Sequence, residues 1–369
     1  MTKLRSPKRG KGSTVRAYIE MTKPRIIELL LITTIPAMVV ATRGWPDWWL
    51  VAVVLVGGSL SAGGANVINQ VYDRDIDRIM NRTSGRPIPT ERISPRAAMW
   101  FGLSLGVAGF VILAVWSTLL AGVLSVAAFG FYVLVYTMLL KRSTTQNIVI
   151  GGAAGAVPAL IGWAAVTGDL VLVPWIMFAI ILFWTPPHFW ALSLKYEDDY
   201  RRAGIPMLPV IVGDDATFRE IASYSIVTVG VTLLLAPVAQ LGWLYSSVAI
   251  VGGIVLIREA LKLRSDRGRA MRYFGITNLY LAGVFLSMML DTTLIDARAV
   301  SAAGSVLGPM GGVLVLIGMI GVVATEARPQ ARAHGVSVVR HTVEVGITAL
   351  FAFGILAAVY LTYSGVFIA

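Results

Sequence analysis

The stretch NVINQVYDRDIDRIMNRTSGRPIP, residues 66–89, sets Asn69, Asp73 and Asp77 four residues apart. On a helix such residues stack along one face, with neighbouring β-carbons about 6 Å apart. A face of like charge is unfavourable unless a cation neutralises it. Three oxygen-bearing side chains suit a hard ion such as Mg2+, which takes oxygen ligands and commonly keeps water or a substrate phosphate in its shell. Asp75 falls on another face, within pairing reach of Arg74 and Arg78. Arg82 and Arg86 follow, with a Pro87–Pro89 turn, and guanidinium groups match phosphate oxygens in shape. The blander alternative is a solvated helix end whose Asp and Arg side chains simply pair. The regular spacing and the basic loop argue instead for a metal-binding face that receives a diphosphate.

A second acidic run lies in WTPPHFWALSLKYEDDYRRAGIPMLP, residues 184–209, where Glu197, Asp198 and Asp199 are flanked by Lys195, Arg201 and Arg202. Two such clusters facing each other can hold a diphosphate through bridging Mg2+. Lys141, Arg142 and Asn147 bracket another loop and are candidate diphosphate contacts. Pro186 and Pro187 are expected to disturb their helix, because proline removes a backbone donor and clashes with the preceding turn. His188 follows directly, at membrane depth, where an ionisable group is a functional hypothesis. It either bonds a freed carbonyl or contacts a porphyrin, with iron ligation as the sharper form. Glu28, about one turn into the first apolar run, either pairs with Arg25 or lines a substrate cavity. Cysteine is absent, which excludes disulfides, thiolate metal sites and cysteine nucleophiles.

The elements that must position these residues are membrane helices. The 369 residues are 56% apolar and 14% charged, against about 25% charged in soluble domains, and mean hydropathy is +0.75. Apolar runs of about 20 residues, each able to cross roughly 30 Å of hydrocarbon, recur along the chain. Expected spans are 25–42, 48–72, 96–119, 121–140, 148–166, 171–194, 217–240, 243–263, 273–291, 301–324 and 342–366. The fold class is therefore all-α, a polytopic membrane bundle. The first run lacks a small-residue cleavage site and is followed by many more, so it reads as a span rather than a signal peptide.

Four spans separate the second helix from the sixth, so both acidic motifs emerge on one side, as in two parallel four-helix halves. All of the 31 Lys and Arg residues except Arg43 and Arg298 fall on that same side. The positive-inside rule then places the N-terminus and both motifs in the cytosol. This bias accounts for the net charge of +11 and pI near 10 without any nucleic acid. A transporter using acidic pairs as a cation path would carry them near the bilayer midplane, and these sit at one surface. Small residues at 57–66 and 151–162 permit close helix approach, or leave room for a long apolar ligand.

NQVYDRDIDRIMNRTSGRPIP, KRSTTQNIVIGGAAGAVPALIGWAAVTG, WTPPHFWALSLKYEDDYRRAGIPMLPV and the opening MTKPRIIELLLITTIP resemble the hallmark segments of the UbiA-type intramembrane prenyltransferases. The TPPHFW and AGIPMLP segments are similar to those of the protohaem IX farnesyltransferase branch. The resemblance covers about residues 17–291. It implies a nine-helix core around a central cavity open to lipid; outside it the residues give a basic cytosolic tail at 1–16 and a C-terminal extension, 292–369, with about two extra helices, which departs from the family pattern. It further implies transfer of a farnesyl group from farnesyl diphosphate, through Mg2+, to a vinyl group of protohaem IX, with water added. Carried over by position, Asn69, Asp73 and Asp77 form the first metal and diphosphate site, Asp198 and Asp199 the second, and His188 matches the intramembrane histidine. Haem A synthase or terminal-oxidase assembly proteins are the implied protein partners. A sister enzyme acting on a quinone precursor or chlorin, and a catalytically silent assembly factor, are the competing readings.

Overall fold

The computed structural model describes residues 14–294, and for residues 25–31 the backbone alone. Arg25 and Glu28, most of the basic tail, and the expected helices 301–324 and 342–366 lie outside the described residues.

Thirteen α-helices follow in order: α1 Thr14–Thr22, α2 Pro24–Thr42, α3 Trp48–Tyr72, α4 Arg74–Ile79, α5 Pro95–Trp116, α6 Leu119–Gly130, α7 Asn147–Thr167, α8 Leu172–Lys195, α9 Glu197–Arg202, α10 Leu208–Val212, α11 Asp214–Val238, α12 Trp243–Lys262 and α13 Ala270–Leu294. Helix α6 continues without a break into a π-helical segment, Phe131–Leu140. Among the described residues eight helices are long and apolar enough to cross a membrane. With α2 they make the nine long helices expected.

The helices alternate in direction, as contacts at their ends show. At one end Arg142 bonds Asp75, the Arg82 N–H bonds Asp199, and Arg267 bonds Glu197 and the Leu194 carbonyl. At the other end Arg43 donates to the Ala239 carbonyl and Thr118 to that of Ala164. There too the Asp291 carboxylate of α13 accepts from the Gly242 N–H, capping the start of α12 from outside that helix. Trp45, Trp48, Trp49, Trp116, Trp175 and Trp243 are all exposed at this second end, the placement of an interfacial aromatic girdle. The chain is a multi-pass membrane protein.

The halves repeat a pattern. Helix α2 packs on α7, α3 on α5 and α8 on α11, with α13 closing against α8 and α2. The small residues of α3 serve packing: a β-carbon on Gly64 would lie 2.5 Å from the Gly102 carbonyl, and one on Gly109 would lie 2.6 Å from that of Gly57. Lipid offers no hydrophobic drive between helices, so this seam depends on van der Waals contact at close range.

Pro186 and Pro187 lie inside α8, which runs on to Lys195, close to the expected span 171–194. The Thr185 hydroxyl bonds the Ile181 carbonyl at 2.7 Å, and Trp184 Nε1 donates to the Thr277 carbonyl of α13 at 2.8 Å. Side-chain and neighbouring-helix support of this kind is what lets membrane helices carry proline.

Candidate functional site

Helix α3 stops at Tyr72, yet its hydrogen bonding threads on into α4. The Asp73 N–H meets the Asn69 carbonyl at 2.9 Å, and the Asp77 N–H meets that of Asp73 at 2.8 Å. Asn69, Asp73 and Asp77 therefore stay on one face, and that face turns inward: their exposures are 3%, 0% and 2%. Asp75, one step round, is exposed and takes both forks of Arg142 at 2.7 Å. That pairing, rather than Arg74 or Arg78, holds the Asp75 carboxyl below its usual range, at about 2.

Buried carboxylates require compensation, and cations from three other segments supply it. Lys141, just past the π-helical segment, pairs with Asp73, and the Arg142 guanidinium lies 3.6 Å from the same carboxylate. Arg86 reaches both oxygens of Asp77 at 2.8 Å. Lys23 donates to the side-chain carbonyls of Asn66 at 3.2 Å and Asn69 at 3.4 Å. Desolvation, then the proximity of Arg86 and Lys141, pushes the Lys23 ammonium down to about 7. A locus where cations repel one another around buried carboxylates has spare positive potential for an anion. Asp73 Oδ1 is buried without a hydrogen-bond partner, as is Asn147 Oδ1 at the start of α7.

The second motif joins the first through Arg82. Its backbone N–H donates to Asp199 Oδ2 at 3.3 Å, and its guanidinium reaches the Tyr200 hydroxyl at 3.3 Å while lying over the Tyr196 ring. Asp199 is buried and also pairs with Arg202. Beneath these polar contacts Ile76, Met80, Ile148, Tyr200, Ile205 and Met207 form one buried apolar cluster. The turn that brings Ile205 back needs Gly204, at φ +65°, a conformation glycine adopts at little cost.

Asn69, Asp73, Asp77, Arg82, Arg86, Lys141, Arg142, Asn147 and Asp199 are thus brought together. Asp198 and Lys195 are exposed; Lys195 lies over the Tyr196 ring. Glu197 is engaged by Arg201 and Arg267 instead, and these partners hold its carboxyl down although burial alone would raise it. Among the described residues no three His, Cys, Asp or Glu side chains converge on a common point. Lys23, Asn66, Tyr132 and Thr137, all bonded into the first motif, were not among the sequence candidates. Only the short Asn66-to-Asn69 spacing hinted at any of them.

His188 lies deeper, seven residues before the end of α8, or about 10 Å. It stacks between Trp184 and Phe274, with ring centroids 4.2 Å from each. It bonds a side chain, not the freed carbonyl considered from sequence: His188 Nδ1 meets Thr277 Oγ1 at 2.7 Å. The Thr277 hydroxyl gives its one proton to the Phe274 carbonyl at 2.7 Å, so it accepts from Nδ1–H, and the lone pair of the neutral ring sits on Nε2.

A groove of about 530 Å3 on α12, lined by Ile254, Ile257, Arg258, Leu261, Lys262 and Ser265, holds neither acidic motif.

The UbiA prenyltransferase family matches residues 30–284. A protoheme IX farnesyltransferase of Gloeobacter violaceus is 50% identical over 78% of this chain and 95% of its own. A solved digeranylgeranylglyceryl phosphate synthase shares the fold at 19% identity, with a TM-score of 0.64 over 76% of this chain and 99% of that one. So does a UbiA homolog from Archaeoglobus fulgidus bound to DMAPP and Mg2+, at 16% identity and a TM-score of 0.52 over 74% of this chain and 99% of that one. With an acidic face at the end of its second span, and half its residues shared with such a relative over most of its length, the chain belongs to the UbiA prenyltransferase family.

Proposed function

We propose that the chain is a protohaem IX farnesyltransferase, joining the farnesyl group of farnesyl diphosphate to a vinyl group of protohaem IX with addition of water. The observation that carries the reading is Asp73: fully buried, paired with Lys141 beside Arg142, and flanked by Asn69 and Asp77, which take Lys23 and Arg86, with Arg82 of the following loop bonding Asp199 of the second acidic motif. The chain's 50% identity to a protoheme IX farnesyltransferase directs the acceptor to haem rather than to a quinone precursor or chlorin.

Asn69, Asp73, Asp77 and Asp199 would hold Mg2+, with Asp198 an exposed outer ligand. The donor set fits that ion: all are oxygen ligands, and Asp73 Oδ1 is buried without a hydrogen-bond partner. Among the described residues these carboxylates do not converge on one point, so substrate phosphate oxygens would complete the shell, as Mg2+ commonly requires. Held there, Mg2+ would supply charge neutralisation of the diphosphate. Arg82, Arg86, Lys141 and Arg142 bind the phosphate oxygens and take up the charge that grows as the diphosphate leaves with the C–O bonding pair, an electrostatic form of catalysis.

The farnesyl cation is attacked by the π electrons of the vinyl group, forming one C–C bond. Water adds to the resulting cation and loses a proton, giving a hydroxyethylfarnesyl side chain and free diphosphate. Burial of the site within the bundle limits early capture of the first cation by bulk water. His188 presents Nε2 with its lone pair, the donor type that ligates haem iron, and Trp184 and Phe274 fix its ring plane. The distribution of Lys and Arg supports a cytosolic N-terminus and cytosolic motifs. Residues 17–291 form the catalytic domain and 292–369 an extension. The purified protein given protohaem IX, farnesyl diphosphate and Mg2+ should produce farnesylated haem by mass analysis; unchanged protohaem would refute the assignment.

A further inference from the structure

The first motif rests on Asn69 as well as on carboxylates, and an amide can meet its neighbours either way round. Hydrogen-bond bookkeeping decides which way. Thr137, in the π-helical segment, is fully buried, and its hydroxyl donates its one proton to the Tyr132 carbonyl at 2.8 Å. The oxygen of Thr137 must therefore accept from its other partner, Asn69, at 3.1 Å, which identifies that end of the amide as Nδ2. The second Nδ2 proton goes to Asp73 Oδ2 at 2.8 Å. Lys23 Nζ, which also donates to Asn66 Oδ1, meets the opposite end, Asn69 Oδ1, at 3.4 Å. Two independent partners thus assign the same orientation.

The π-helical register makes this possible. The Lys141 N–H bonds the Tyr136 carbonyl five residues back, so residues four to five apart share a face. Tyr132, Thr137 and Lys141 meet Asn66 and Asn69 of α3 and Asp73 just past its end in sequence order, at 3.4 Å and 3.1 Å for the first two rungs and as an ion pair for the third. In an α-helix, five residues turn about 140° beyond one revolution, and Thr137 would leave the face that Tyr132 occupies. Single π turns within α-helices recur at functional sites.

We infer that Thr137 is a positioning residue for the diphosphate site: its hydroxyl, brought to α3 by the π-helical turn, locks the Asn69 amide with Oδ1 presented to cations and an N–H committed to Asp73. Lys23 is the cation that holds Oδ1 here. The inference rests on the proposed reading of Asn69 and Asp73 as the Mg2+–diphosphate locus.

The test measures binding of inorganic pyrophosphate in excess Mg2+ by isothermal titration calorimetry, on the full chain in nanodiscs. Thr137→Val and Thr137→Ala both remove the hydroxyl, one by adding bulk of similar shape and one by leaving a void, so that a folding failure in one leaves the other. Each is expected to weaken binding about tenfold, the worth of one buried hydrogen bond, whereas Thr137→Ser stays within twofold of the parent. On an Asn69→Ala background, Thr137→Val should add less than twofold, because its effect passes through that amide. Parental affinity in Thr137→Val or Thr137→Ala beside weakened Asn69→Ala overturns the positioning role and leaves the site reading standing. Equal loss in Thr137→Ser overturns it too, since packing alone would explain that. Parental affinity in both Asn69→Ala and Asp73→Asn overturns the site reading and this inference with it.

Discussion

The Arg82 backbone N–H donates to the Asp199 carboxylate at 3.3 Å, across 117 residues of sequence. A main-chain donor leaves the Arg82 guanidinium free to act elsewhere, so the junction between the acidic motifs does not consume the charge that a phosphate needs. Asp199→Asn keeps an acceptor for that N–H but loses the charge that pairs with Arg202. It should leave thermal stability nearly unchanged while lowering the farnesylation rate by about 10²–10³, the usual cost of removing one preorganised electrostatic group. Melting curves and initial rates on the same preparation check this.

Asp73→Asn should abolish product formation with the bundle intact. Lys141, left with a neutral amide in place of its carboxylate, becomes a poorly compensated cation, and breaking such a pair costs about 3–5 kcal/mol. Cells carrying this variant should accumulate protohaem with no farnesylated haem by mass analysis; a catalytically silent assembly factor would instead tolerate the change.

Arg86→Lys should be damaging although charge is conserved. Arg86 reaches both oxygens of Asp77, and a lysine ammonium cannot reproduce the planar fork. Weaker use of substrate is the readout: an increased KM for farnesyl diphosphate, with Arg86→Ala worse in both KM and stability.

Gly64→Ala and Gly58→Ala differ by one methyl group placed in opposite surroundings. At Gly64 the new carbon would meet the Gly102 carbonyl at 2.5 Å, whereas at Gly58 nothing lies within 4 Å. Overpacking costs about 1–3 kcal/mol, so the first should melt earlier and lose activity as α3 shifts. The second should match the parent or gain up to about 1 kcal/mol from helix propensity.

Acid should not disturb the Asp75–Arg142 pair until well below neutrality. A carboxyl whose folded pKa is depressed contributes stability above its unfolded value, near 3.8, and loses it as pH falls through the folded value, about 2. The stability difference between the parent and Asp75→Asn should be flat from pH 8 to about 5 and shrink only below about 4, measured by melting across that range.

Much of this was written plainly in the chain. Residues four apart make a helical face whatever their surroundings, so Asn69, Asp73 and Asp77 declared themselves. Helix ends fell close to expectation where turn chemistry is local, as at Asp47, whose side chain caps α3. The expected start at 217 lay three residues late, because Asp214 begins α11 with two acidic residues that hydropathy alone passes over. Thr137 and Lys23 stayed hidden for another reason. Each acts across helices, and a four-to-five-residue period has no signature against an apolar background. What steadies the prolines of α8 was only half legible: the Thr185 hydroxyl bonds within the helix, but the Thr277 carbonyl that takes the Trp184 N–H belongs to α13.

Asp291 closes the start of α12 from a residue 49 positions further along. During synthesis α12 reaches the bilayer while its first N–H groups still lack that acceptor. The cap at the start of α12 is therefore complete only when the following helix is in place. A chain halted before Asp291 should for that reason expose its unfinished end to membrane quality control, with both acidic motifs already made.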